Sequence, residues 1–372
     1  MGIADNYSRG RRLLVERPGQ ALAAVVGVLL VLALFADLAA KLGSGALGVG
    51  DVVLLAWRGV VNGLVIGLAG VGLSMTYSIL NFANFAHGDY ITGGAFVGWA
   101  VAWLVAGLGE YDIGSLLSLG LGADVYAPQL GTSIFGAPLA LLLGLVAAGV
   151  GAIAIALLID KLVYEPMRGQ DGIALLIASI GVAFILRYLI VFVWGTSVTS
   201  VADEAGGLRP TVGGVTFSFG YHELTLVVCA VVLMVGVHVL LQRTKLGKAM
   251  RAMSDNQDLA RVTGIPTERV IKWTWIIGAG LAGVAGYLLI LEAGTIAYSR
   301  GWILLLLIFA AVILGGIGSV YGAIFGGLVI GLADSMSIIW IPSDFTKAAA
   351  FALMILILLF RPSGLFAGRT TA

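Results

Sequence analysis

Polar residues are sparse in this chain and fall in clusters. Between the clusters lie continuous apolar runs near 21–40, 52–80, 89–107, 137–159, 173–195, 223–241, 273–292, 302–334 and 345–360. Most exceed the roughly 20 residues that a helix needs to cross a hydrocarbon core. The runs do not alternate apolar with polar, which argues against a membrane β-barrel. The pattern therefore predicts an all-α, polytopic transmembrane helix bundle of about 9–10 membrane passes. The first run follows Arg9, Arg11, Arg12 and Arg17 and resembles a secretory leader. At about 20 residues it is longer than a usual leader core of about 7–15, and reads as an uncleaved first span.

Composition agrees. Of 372 residues 60% are hydrophobic and 11% charged, against about 25% charged in soluble domains. A soluble fold has no interior large enough to hide that apolar surface. The net charge of +1 implies no nucleic-acid partner, and the single cysteine, Cys229, excludes both an internal disulfide and a cysteine-based metal site. The 54 glycines are about twice the usual share and predict closely packed membrane helices.

The basic residues predict orientation. Segment 242–272 carries Arg243, Lys245, Lys248, Arg251, Arg261, Arg269 and Lys272, and segment 160–172 carries Lys161 and Arg168. Segment 108–136 has neither Lys nor Arg, and 196–222 has only Arg209. Basic loops stay cytoplasmic, so the N-terminus, 160–172 and 242–272 are expected inside. The tail, with Arg361 and Arg369, belongs inside too. That parity requires run 302–334 to be two short passes.

Ile313–Gly327 (ILGGIGSVYGAIFGG) supplies the break, with six glycines. Backbone that turns at membrane depth must be satisfied within protein or a watered cavity, and short helices meeting at such a break mark substrate paths. A weak internal repeat accompanies it. Gly94–Gly98 and Gly322–Gly326 both read GAxxG, and each is expected to open an outward-running helix after a cytoplasmic turn.

The sharpest polar cluster is Asn81–Gly94, NFANFAHGDYITGG. A carboxylate in the bilayer core costs about 2.5–3.5 kcal/mol, so these groups should face the bundle interior, a cavity or the inner surface. On a helix Asn84 and His87 would share a face, and Asp89 would accept from His87 or cap the next helix near Tyr90. Three roles are compatible with this: a cytoplasmic turn fixing helix geometry, a lining of a translocation path or inner gate, or a catalytic site. The last lacks support, because His87, His222 and His238 have no metal-ligand spacing and no GxSxG elbow is present. Arg187 either snorkels or pairs inside the bundle, and Tyr298 and Trp302 read as interface anchors.

The most polar stretch, 242–272, contains a short helix from about Asn256 to Val262. Ser254 or Asp255 is its expected N-cap, and Gly264 followed by Pro266 ends it. Leu259 and Val262 form a small apolar pair at i, i+3. Such a helix either docks into another protein or packs on its own membrane domain.

Five separated motifs now carry a resemblance spanning roughly residues 55–368. They are ANFAHGD (Ala83–Asp89), YEPMR (Tyr164–Arg168) with LIASIGVAFIL (Leu176–Leu186), RAMSDNQDLARVTGIPTERVI (Arg251–Ile271), VILGGIGSVYGAIFGG (Val312–Gly327) and RPSGLF (Arg361–Phe366). In this order they resemble the permease subunit of branched-chain amino acid ABC importers. The resemblance implies a plasma-membrane importer of several parts: a second permease chain, two cytoplasmic ATP-binding subunits and an extracytoplasmic binding protein. It implies no cofactor bound by this chain, since ATP sits on the partners, and no P-loop occurs here. It makes 251–270 the ATPase-coupling segment, with Arg251, Asp255, Asn256, Leu259, Ala260 and Gly264 as its contact region. A translocation path or inner gate is expected at Asn81, Asn84, His87, Asp89, Gly315, Gly316, Gly318 and Ser319. Residues 1–50 read as an extension carrying an extra span, 51–368 as the permease domain and 369–372 as a tail. Asp89 stands where the family more often has Glu. Urea or short-amide import within the class, and an ATPase-independent channel or secondary transporter outside it, remain the alternative readings.

Overall fold

Nearly every apolar run of the sequence becomes a helix, and the asparagine, glycine and proline punctuation becomes the turns. The computed structural model describes residues 18–118, 125–203 and 206–366. The N-terminal arginines 9, 11, 12 and 17 and the tail 369–372 lie outside the described residues. In chain order the helices are α1 (Pro18–Gly43), α2 (Val49–Leu80), α3 (His87–Gly107), α4 (Pro138–Ile159, continued by a π-helical turn, Asp160–Tyr164), α5 (Gly172–Trp194), α6 (Tyr221–Arg243), the polar α7 (Lys245–Asp255) and α8 (Gln257–Val262), then α9 (Thr267–Ala293), α10 (Arg300–Gly315), α11 (Val320–Met336) and α12 (Thr346–Phe360). Among the described residues nine helices are long and apolar enough to cross a membrane, and α10 is a shorter apolar helix. Run 302–334 is thus two passes, divided at Gly316–Ser319.

Small residues set the packing. On α2, a Cβ at Gly59 or Gly63 would lie 2.9 and 2.8 Å from the Cα atoms of Leu332 and Leu328 on α11. Gly94 of α3, Gly283 of α9 and Ala148 of α4 meet in the same way. In lipid there is little hydrophobic drive between helices, so backbone approach and van der Waals contact hold such crossings. The outward faces of α4, α5 and α6 carry exposed Val146, Ile185, Phe192 and Val232, as lipid-facing surfaces do.

The contacts define two four-helix units of opposite direction. In the first, α2 runs toward the end of the bundle that carries 242–272 (the basic end), α3 runs away, α4 returns and α5 runs away. In the second, α9 runs away from the basic end, α10 returns, α11 runs away and α12 returns. Helix α2 packs on α11 as α9 packs on α4, and the two units interlock. This is an inverted-topology repeat of the kind found in transporters. It corrects the expected repeat: the topological equivalent of α3 is α10, so the shared GAxxG of α3 and α11 marks two close crossings and not matching positions.

Each unit contains the same irregularity. Helix α2 ends at Asn81 in the left-handed conformation (φ 57°), and α9 ends at Gly294 (φ 65°). Asparagine and glycine are the residues that tolerate this geometry. From each end the chain runs back into the bundle as non-helical backbone before the next helix starts. His87 bonds to the carbonyl of Ala69, 11 residues before the end of α2, so α3 starts about 16 Å inside that end. Helix α10 starts at the same depth, because Gly301 donates its N–H to Thr92 Oγ1 (3.1 Å) one turn into α3. Two half-helices therefore meet N-terminus to N-terminus inside the bundle. Of the roles open to 81–89, the turn at the inner surface is the one this depth revises: the chain forms a re-entrant segment inside the bundle.

Candidate functional site: a re-entrant segment and a short capped helix

Backbone freed at membrane depth needs partners, and polar side chains in and around 81–86 supply several of them. Asn81 caps α2, its N–H bonding to Tyr77 O. Asn84 Oδ1 accepts from the N–H of Ala86 (3.0 Å), an Asx turn that launches α3, and from the hydroxyl of Tyr164 (3.3 Å). The N–H of Phe85 donates to Ser179 Oγ on α5 (3.0 Å). His87 Nε2 donates to Ala69 O (3.0 Å), which ties α3 to α2 and places the ring proton on that nitrogen. Asn84 precedes α3 and so does not share a helical face with His87.

Asp89 neither caps α3 nor bonds to His87. It is buried and held in a bidentate pair by Arg187 of α5, with Nε to Oδ1 at 3.2 Å and Nη2 to Oδ2 at 3.0 Å. The same guanidinium lies 4.4 Å from the ring of Trp302 and 5.4 Å from that of Phe184. Trp302, expected at an interface, instead stands on the first turn of α10 at mid-bundle, because α10 starts there. One cation thus fastens both half-helices to α5. The signal was present in the sequence: an acid and an arginine, each stranded in an apolar run, are default partners.

Tyr164 and Arg168 come from the YEPMR motif at the foot of α4. Tyr164 stacks on Trp275 of α9 (5.4 Å between centroids, planes 6° apart) and reaches Asn84. Arg168 bonds Asp160 Oδ2 (2.8 Å) and pairs with Glu268 in the first turn of α9. Between this motif and α8 lies a cavity of about 450 Å³, lined by Asn81, Tyr164, Arg168, Asp258, Arg261 and Glu268 among others. Of the expected path residues Asn81 faces this space, while Asn84, His87 and Asp89 are buried and bonded to protein.

The glycine motif has a structural partner that the sequence reading did not assign. The C-terminal RPSGLF segment folds under the end of α10: Leu365 N–H donates to Leu314 O (2.9 Å) and Phe366 N–H to Gly315 O (3.0 Å). These bonds satisfy carbonyls that a helix end leaves open. Gly316 and Gly318 have φ of 104° and 86°, and Ser319 caps α11 through Gly322 N–H. Gly364, at φ 86°, touches Gly316 backbone to backbone.

In the segment 251–270, Asn256 is the N-cap of α8, its side chain accepting from Leu259 N–H (2.9 Å), so neither Ser254 nor Asp255 is. Those two residues lie in the last turn of α7, a helix the sequence reading did not separate. Gly264 (φ 87°) closes α8 in a Schellman motif, with Ile265 N–H on Ala260 O (3.0 Å) and Gly264 N–H on Arg261 O (3.1 Å). Ala260 is 3% exposed and packs inward, which removes it from any contact surface. Arg251 turns back to bond Leu241 O at the end of α6 (2.6 Å). Leu259 and Val262 stand out at 60% and 84% exposed, the apolar pair the spacing anticipated. Asp255 and Asn256 are exposed beside them.

This architecture defines a class: a multi-pass α-helical membrane protein built as an inverted repeat with re-entrant half-helices, and with a short capped helix on its basic end. Comparison with known proteins then gives the family. Residues 55–358 match the family described as branched-chain amino acid transport system, permease component, and the chain belongs to it. It is 29% identical to the high-affinity branched-chain amino acid transport system permease protein BraD of Pseudomonas aeruginosa, over 82% of this chain and 94% of that protein. It is also 29% identical to LivH of Escherichia coli (strain K12), over 83% and 93% of the two chains. A probable LivH of Methanocaldococcus jannaschii matches at 29% over 85% of this chain and 92% of its own.

Proposed function

We propose that this chain is the permease subunit of an ABC importer that moves branched-chain amino acids across the plasma membrane. It works beside a second permease chain, with two cytoplasmic ATP-binding subunits and an extracytoplasmic binding protein. The basic end, the N-terminus and the C-terminal tail face the cytoplasm, where basic loops are retained. ATP binds the partners, and this chain holds no cofactor of its own. Residues 1–50 add one span, α1, which packs antiparallel on α12.

The observation that carries this reading is family membership over most of the chain, joined to the exposed pair Leu259 and Val262 on α8. A capped helix offering an apolar pair from a basic surface suits the groove of a cytoplasmic partner. Helix α8 walls the cavity whose other side is Asn81 and the Arg168 ties. A push on α8 reaches Glu268, Arg168 and Tyr164, and through Asn84 the start of α3. Alternating access then follows as one inverted unit rocks against the other.

Replacing either Leu259 or Val262 by Asp is expected to lower ATP-driven uptake roughly tenfold or more, each decade being about 1.4 kcal/mol of lost docking. Membrane amounts should stay unchanged, since both side chains are exposed. Asp255→Lys separates coupled from passive transport: it abolishes ATP-driven uptake here and would leave an ATPase-independent channel intact. The substrate test is labelled leucine uptake in cells lacking the gene and in cells with it restored, with urea and other amino acids as competitors. Gene-dependent uptake that aliphatic amino acids alone reduce supports the reading. Effective competition by urea, or uptake indifferent to the gene, overturns the substrate.

A further inference from the structure

A second cavity, of about 370 Å³, lies between the start of α10 and the end of the bundle opposite the basic one. Its size falls in the range of about 300–1,000 Å³ typical of small-molecule sites. Arg300, Asp334 and Lys347 line it from α10, α11 and α12, and Val65, Ile303 and Leu307 form part of an aliphatic wall. Arg300 and Asp334 are half-buried and Lys347 is exposed at the rim; ionisable groups set into a membrane cavity mark a functional site by default. Among the described residues none of the three is ion-paired. Arg300 spends one Nη2 bond on Thr295 (2.5 Å), while its Nε and Asp334 Oδ1 are buried without a hydrogen-bond partner. Arg300 is also the first residue of a half-helix whose N-cap, Ser299, provides no side-chain cap. The cavity thus brings a carboxylate, Asp334, together with two cations, Arg300 and Lys347.

We infer that this cavity is a substrate site of the permease itself, built for the zwitterionic head of an aliphatic α-amino acid. The carboxylate sits at Arg300 and the N-terminus of α10, where guanidinium and helix dipole both favour an anion. The ammonium group pairs with Asp334. The side chain lies along Val65, Ile303 and Leu307. Charges of both signs in one cavity suit a zwitterion, which carries both. The aliphatic wall offers contact to a branched side chain, which urea lacks. This inference rests on the proposed transport of branched-chain amino acids and locates where this chain meets them.

The test uses the full chain with Cys229, its single cysteine, replaced by Ser, and Ile303→Cys on the cavity wall, in membranes of cells that retain the partner subunits. The rate of maleimide labelling is read with and without leucine. At ten times its dissociation constant leucine should slow labelling roughly tenfold. 4-Methylpentanoate, which lacks the ammonium group, and 3-methylbutylamine, which lacks the carboxylate, should not protect at the same concentration. Asp334→Asn and Arg300→Gln should each remove the protection by leucine. Leu306→Cys, exposed on the same helix away from the cavity, should label equally throughout. If Ile303→Cys is inactive in leucine uptake, Ser299→Cys on the same wall replaces it. Unprotected labelling in a variant that still takes up leucine overturns the site and leaves the transport reading standing. Equal protection at Leu306→Cys, or by the half-molecules, overturns it as well. Absence of gene-dependent leucine uptake defeats the transport reading instead.

Discussion

Arg187→Leu, with Asp89 left in place, is expected to cost about 3–5 kcal/mol, the usual consequence of stranding one member of a buried pair. Asp89 is 1% exposed, so its carboxylate has no route to water. The change also removes the cation facing Trp302, a contact worth about 2 kcal/mol when desolvated. Against a total stability of about 5–15 kcal/mol, little margin remains. The amount of folded protein in the membrane should fall sharply, and the unfolding midpoint in detergent with it. Asp89→Asn combined with Arg187→Gln leaves no unpaired charge and should be more stable than Arg187→Leu. An Arg187→Leu protein with the abundance and midpoint of the parent would show that the pair holds nothing together.

Gly301→Val should separate the two half-helices and stop transport. A Cβ at Gly301 would collide with the carbonyl oxygen of Gly88 and with Thr92 Oγ1. Neither yields cheaply: one is backbone, and the other accepts the Gly301 N–H. Overpacking costs about 1–3 kcal/mol for a modest insertion and more where backbone must move. Gly301→Ala should already lower the thermal midpoint, and Val should lower it further with a greater loss of uptake. Gly236 provides the control, because a Cβ there meets nothing within 4 Å on an exposed face of α6. Gly236→Ala should be neutral or stabilising by up to about 1 kcal/mol. Equal effects at Gly301 and Gly236 would remove the close approach of the half-helices from the mechanism.

Much of this protein is legible along the chain. Hydrophobic runs give the spans because a bilayer imposes a length on every crossing, and the basic segments 160–172 and 242–272 come together at one end of the bundle. The glycine cluster at 313–327 marks the division of α10 from α11, since a run with so many glycines has little reason to stay one helix. The helix at 257–262 was readable from Gly264 and the Leu259–Val262 spacing, although its cap falls one residue later than expected. There the choice among Ser254, Asp255 and Asn256, all competent caps, depends on where α7 stops. Arg187 could be matched to Asp89 by the cost of a lone charge in lipid, but not placed within 3 Å of it.

The depth of the chain at 81–86 and 294–299 was not legible. Asn81 and Gly294 say that a helix ends, and their left-handed geometry says no more than that. That the chain then runs back into the bundle depends on Ala69, Ser179, Thr92 and Gly88, which are remote in sequence. The inversion of the two units is likewise a matter of direction and not of residue identity, so a shared GAxxG pointed to the wrong equivalence. What the sequence alone determined is the class, the spans and the charged and glycine-rich positions that a membrane makes expensive or useful. Which of those positions meet was decided by the tertiary structure. Only packing brings Arg187 to Asp89, sets Gly301 on Gly88 and leaves Arg300 and Asp334 facing one cavity, because each pairing joins helices whose relative depth no local rule encodes.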